Sequence, residues 1–191
     1  MKKLFILISS IINPLLVAPF SFAVMIYLDN SLDNQHALFL TSLLFTNILP
    51  LMTIYYFIRS GRVSSFDAPI KEQRIQLLAI AAIFYAIGFL TLSYLKGPPI
   101  VRGLMFCYAV NTAIVWRITI LWKISIHMIG LGGPMVALWL SGFEYPLTMI
   151  GALILVGISR LYLKAHTVPQ VIAGTFLAMG LAYFELHYLF L

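Results

Sequence analysis

The apolar runs in this chain are too long for a water-soluble fold to hide. A helix needs about 20 mainly apolar residues to cross a bilayer, and runs of that order recur from Leu4 to the last residue. Charge is scarce between them. Charged residues make up 9% of the chain, where a soluble domain carries roughly a quarter. The expected fold is all-α: one polytopic transmembrane helical bundle, with residues 1–191 forming a single integral-membrane domain of the cell (inner) membrane. The formal charge of +6 is spread too thinly for a nucleic-acid surface, so the bilayer is the partner composition points to. The single Cys107 lies in an apolar run. It supplies neither a disulfide framework nor a Cys-x-x-Cys metal site, and it reads as packing.

Taken in order, the runs suggest seven spans. The first is Leu4 to Leu28, preceded by Lys2 and Lys3. Ser21-Phe22-Ala23 resembles a cleavage site, but the apolar core exceeds the roughly 7–15 residues of a signal peptide. A retained helix bent at Pro14 is expected. Ala37 to Ile58 is the second, bent near Pro50, and Arg59 to Arg74 is a polar loop leading into a helical turn. Gln76 to Leu95 and Val101 to Leu121 form a hairpin around Lys96-Gly97-Pro98-Pro99. After Trp122 to His127 comes a short helix, Met128 to Gly142. Its Gly130, Gly132 and Gly133 permit close helix contact. Leu147 to about Leu163 follows. Val168 to Leu191 closes the chain, with Thr167 as N-cap and Pro169 in the first turn.

Three polar stretches interrupt this pattern: Arg59–Arg74, Lys123–His127 and Ser159–Gln170. Two spans separate each from the next, so parity sets all three on one membrane face. That end of the bundle then gathers Lys71, Arg74, Lys123, Ser125, His127, Arg160 and His166. Guanidinium groups present planar forked donors suited to phosphate oxygens. Paired histidines supply a nucleophile and a general acid. A phosphoryl group is the ligand such a collection fits.

The spacing within these stretches carries a resemblance. Ser159-Arg160, five residues, His166, three residues and Gln170 follow the third signature of the type 2 phosphatidic acid phosphatase superfamily, with Gln170 where that family has Asp. Ile124-Ser125-Ile126-His127 matches its second signature, Pro-Ser-Gly-His, at Ser and His. Arg74 takes the Arg of the first signature, which is Lys, six residues, Arg-Pro. Ile75 replaces the Pro, and Asp67 stands where the Lys belongs, leaving Lys71 or Lys123 as candidates for that cation. The resemblance covers about residues 67–174, and an extra hairpin lies between the first and second signatures. It implies a metal-independent, cofactor-free lipid phosphatase acting on an isoprenyl or phosphatidyl phosphate. In that scheme His166 is the nucleophile that forms a phosphohistidine and His127 is the acid. Gln170 would orient His166. Arg74, Ser125 and Arg160, with Lys71 or Lys123, would hold phosphate oxygens. A helical turn between His166 and Gln170 would put the two on one face.

Plainer readings stand beside these. Arg160 and Lys164 can be interfacial anchors that snorkel. His127 can bridge helices, Lys71 and Glu72 can be solvated charges, and Asp67 can simply pair with Arg74. Arg117 either extends the basic cluster or snorkels, His36 and His187 read as interfacial, and Glu185 lies in an apolar helix with no evident partner. Loss of the signature Asp and Lys keeps open a non-catalytic member that binds phospholipid or partners. A prenyl transferase-like protein using the Asp67–Arg74 loop is weaker, because Mg²⁺ and diphosphate call for more carboxylates than Asp67 and Glu72. For sidedness, Lys2, Lys3, Arg59, Arg62 and Lys164 on the site's face outnumber Lys96 and Arg102 on the other. This predicts a cytoplasmic site.

Overall fold

The computed structural model describes residues 1–66, 68 and 70–191. These form nine α-helices and two π-helical turns. The first two helices are α1 (Lys2–Ile11) and α2 (Pro14–Tyr27), followed by α3 (Gln35–Leu43) and α4 (Leu49–Arg59). The hairpin α5 (Lys71–Tyr94) and α6 (Pro99–Leu121) comes next, and then α7 (Ile126–Leu140), α8 (Pro146–Tyr162) and α9 (Val168–Glu185). Among the described residues five helical stretches are long and apolar enough to cross a membrane: Lys2–Tyr27, Gln35–Arg59, α5, α6 and Val168–Phe190. The all-helical membrane bundle expected from the apolar runs is therefore present. Of the seven spans expected, two, α7 and α8, are shorter apolar helices.

The bend expected at Pro14 is a complete break. Pro14 has no N–H to continue α1, and it suits the first turn of a new helix. Asn13 caps that helix, its Oδ1 accepting the Leu15 N–H at 2.9 Å. The bend near Pro50 is a widened turn placed just before it, Leu44–Ile48. A proline ring collides with the carbonyl four residues earlier, and a π turn relieves the collision without ending the helix. Thr46 and Asn47 face inward here, and the Asn47 amide donates to the Leu15 carbonyl, fixing this turn against the start of α2.

Helix α7 is the central post. Every residue from Gly130 to Leu138 is buried, chiefly against α2 and α9. A short helix can sit at membrane depth when neighbouring helices, rather than lipid, surround it. Glycines set how closely the neighbours approach. A Cβ at Gly130 would lie 2.6 Å from Pro14 Cβ, and one at Gly174 would lie 3.0 Å from the Ser125 carbonyl oxygen. A second buried cluster, including Phe22, Ile26, Leu38, Leu92, Leu104 and Leu186, fills the opposite end of the bundle. There Asn34 Nδ2 donates to the Leu95 carbonyl at 2.9 Å, joining the α2–α3 loop to the α5–α6 turn.

Replacing Gly130 by Ala forces the α2–α7 contact apart, and overpacking of this kind costs about 1–3 kcal/mol. At Gly180, in α9, an added methyl would meet nothing within 4 Å, so Ala there gains helix propensity alone. Thermal unfolding in detergent is expected to show a lower Tm for Gly130→Ala and an equal or higher Tm for Gly180→Ala.

Candidate functional site

Helix α8 delivers Ser159 and Arg160 to the end of the bundle where α1 begins. Ser159 Oγ donates to the Phe5 carbonyl at 2.7 Å, and an Arg160 terminal nitrogen (Nη1) donates to Ser9 Oγ at 2.9 Å. Both side chains are buried, so the guanidinium is held by packing and hydrogen bonds rather than snorkelling into solvent. The helix then turns sharply. Lys164 adopts φ +52°, and the N–H groups of Ala165 and His166 both return to the Arg160 carbonyl. That closure folds His166 back over the helix end, 7% exposed.

Thr167 caps α9, and Gln170 sits three residues further on as its capping-box partner. Gln170 Oε1 accepts the Thr167 N–H at 3.2 Å and lies 3.0 Å from His166 Nδ1. An oxygen already serving as acceptor takes the imidazole proton at Nδ1, which leaves the lone pair on Nε2. The expected pairing of His166 with Gln170 is present, but its geometry corrects the expectation. The two do not share a helical face; His166 precedes α9, and Gln170 reaches back to it as a cap does.

The second polar stretch docks onto this turn. The Ser125 N–H donates to the Gln170 carbonyl at 3.3 Å, and Gly174 leaves room for the Ser125 backbone against α9. Ser125 Oγ and His166 Nε2 are both buried and have no hydrogen-bond partner among the described residues. His127 lies in the first turn of α7 and Arg74 in that of α5, both buried, and Arg74 Nε donates to the Ala68 carbonyl at 2.6 Å. These two line the wall of a cavity of about 190 Å³, whose other walls are largely apolar and include Pro14, Leu15, Ile54, Leu77 and Phe84.

Electrostatics join the stretches as well. Burial pushes the His166 imidazole down to about 4. The Gln170 hydrogen bond opposes this, and the charges of Arg74, Arg160 and Lys123 reinforce it. Burial also lowers Lys123, helped by Arg74 and Arg160. A neutral imidazole therefore sits in the field of three cationic side chains, an environment suited to an anion.

Not every expected residue joins. Lys71 Nζ donates to the Ile120 carbonyl at 3.0 Å and lies 3.9 Å from Glu72, so it closes the α5–α6 end instead. Arg117 is exposed with its guanidinium 6.0 Å from the Trp116 ring, and Lys164 is exposed at the turn. Asp67 lies outside the described residues, and so do its pairing with Arg74 and a magnesium site on that loop. Cys107 is buried in the core, as packing requires. Sequence reasoning missed Phe5 and Ser9. The only trace of the latter is a pair of serines, Ser9-Ser10, inside an apolar run.

The depressed His166 value has a signed consequence. The unfolded chain takes up this proton near pH 6.5 and the folded one only near 4, so the contribution is fully present above 6.5 and is lost as pH falls toward 4. Over that window Tm is expected to fall more steeply in the wild type than in His166→Gln, and the imidazole is expected to remain neutral at pH 5.5 by NMR titration.

Comparison of the chain with protein-family models, with curated proteins and with solved structures finds no match.

Proposed function

We propose that this chain is a membrane-embedded phosphatase of the type 2 phosphatidic acid phosphatase kind, hydrolysing a lipid or isoprenyl phosphate through a phosphohistidine. The observation that carries this reading is the state of His166. Its Nδ1 is held by Gln170, its Nε2 is buried without a partner among the described residues, and Arg74, Arg160 and Lys123 act on it. In the first step Nε2 attacks phosphorus. The phosphorus–oxygen bond to the lipid breaks, and His127 gives its proton to the departing oxygen, releasing the alcohol. Water then attacks the phosphohistidine, His127 takes the water proton, the phosphorus–nitrogen bond breaks, and inorganic phosphate leaves. Arg74, Arg160, Ser125 and Lys123 hold the equatorial oxygens, and the apolar cavity below Arg74 and His127 receives the tail.

Gln170 is the departure that matters for rate. Its amide fixes the His166 tautomer, but it cannot stabilise an imidazolium as a carboxylate would. The same feature favours the second reading, a non-catalytic member that binds phospholipid in this pocket. Phosphate release by purified protein from a panel of lipid phosphates, with and without a chelator, separates the two. Release unaffected by the chelator supports the enzyme, and His166→Ala is expected to abolish it. Wild-type rates in that variant would remove the covalent mechanism. Gln170→Asp is expected to raise the rate, since general acid–base effects of this type are worth about 10²–10⁴-fold. No gain would mean that the pocket is built around the amide.

The reading includes seven crossings, with α7 spanning inside a sheath of longer helices and α8 at the edge of the bundle beside α1 and α7, and a cytoplasmic site. Lys2, Lys3, Arg59, Arg62 and Lys164 near that end support the orientation. In intact cells an impermeant thiol reagent is expected to label Asn34→Cys and to spare Ser64→Cys. Labelling of position 64 alone reverses the orientation, and labelling of both refutes the span count.

A further inference from the structure

A second cavity of about 100 Å³ lies deeper in the bundle and shares the walls Pro14, Leu78, Ala81, Tyr85 and Ile126 with the first. The two therefore adjoin, the first bordered by Arg74 and His127 and the second lying between α5, α6 and α7. Its flanks are apolar. Its far wall is not: Asn111 and Tyr108, successive on one face of α6, border it. Asn111 is 6% exposed, and its Nδ2 donates to Glu185 Oε2 at 3.1 Å. Glu185 does not border the cavity, so this bond engages the amide nitrogen elsewhere. Asn111 Oδ1 and Tyr108 Oη are buried with no partner among the described residues. Gly130 and Gly133 border the same space.

Two unpartnered polar atoms at membrane depth are costly unless something pairs with them. One is an acceptor only; the other both donates and accepts. A hydroxyl satisfies both at once, donating to Asn111 Oδ1 and accepting from Tyr108. A charged group would bring an uncompensated ion into an apolar cavity, and a methyl would leave both atoms bare. Asn111 lies ten residues before Leu121, which is about 15 Å of helix rise below the polar end.

We propose that this inner cavity is a binding subsite for a hydroxyl group carried on the apolar chain of the ligand, one chain length away from its phosphate. The subsite rests on the lipid-phosphate reading of the outer site, whose ligand it would complete. It makes the preferred ligand an amphiphile with a phosphate, an apolar stem and a second polar group, rather than a plain hydrocarbon tail.

The test compares dodecyl phosphate with its ω-hydroxy counterpart, by equilibrium binding to the purified full chain and by phosphate release. The wild type is expected to bind the hydroxylated ligand about tenfold more tightly, the gain of a buried hydrogen-bonded pair. Tyr108→Phe, which removes one hydroxyl and little volume, is expected to cut that ratio severalfold, and Asn111→Leu to abolish it. Equal binding of the two ligands by the wild type would overturn the proposal, since the cavity would then merely hold water. So would an unchanged ratio in Tyr108→Phe, which settles the matter should Asn111→Leu fail to fold. A binding preference without phosphate release from either ligand sustains the subsite and removes the catalytic reading. Release from both with no preference does the reverse.

Discussion

Two buried guanidinium groups set the terms for this end of the molecule. Arg74 and Arg160 are 4% and 3% exposed, and a buried cation is tolerated only where hydrogen-bonding partners replace water. For Arg74 the Ala68 carbonyl just before α5 supplies one, and for Arg160 the Ser9 hydroxyl of α1, 151 residues away, supplies another. Ser159, beside Arg160, is tied in the same way to Phe5. Meeting these demands ties α1 to α8 and the first turn of α5 to the loop before it. The imidazole of His166 is held neutral first by its own burial, and the charges of Arg74, Arg160 and Lys123 add to that.

Much of this architecture was legible because membrane helices announce themselves. The α5–α6 hairpin, the Thr167 cap and the short glycine-bearing α7 fall close to where apolar length, Pro and Gly put them. The break at Ile12–Asn13 and the π turn at Leu44–Ile48 were legible only as bends near a proline. An apolar run has the same hydrophobic pattern whether its backbone is continuous, interrupted or widened by one residue. Local geometry there depends on what Asn13 and Asn47 find to bond.

The candidate site divides along a similar line. His166, Gln170, Arg160 and Ser125 were readable from spacing, and they meet at the α8–α9 turn. Lys71 was read both as a phosphate ligand and as a solvated charge; the bond it makes instead depends on the Ile120 carbonyl lying within reach, a fact of the hairpin's closure. Ser9 carries no motif, and its role exists only because α1 packs on α8. Glu185 had no evident partner in the chain's order. Asn111, 74 residues away, supplies one because α6 and α9 are neighbours.

The attachment of α1 to α8 also bears on biosynthesis. Ser9 and Arg160 are separated by 151 residues, and Phe5 and Ser159 by 154. A ribosome releases α1 into the bilayer long before it completes α8, so these hydrogen bonds wait for nearly the whole chain. Until then α1 lacks the helix it packs on, and the polar pocket is missing a wall. A nascent or truncated chain ending before α8 therefore has no assembled polar site, whatever its topology. Assembly of the pocket becomes a late event of membrane insertion, one that reports that the first and last parts of the bundle have met.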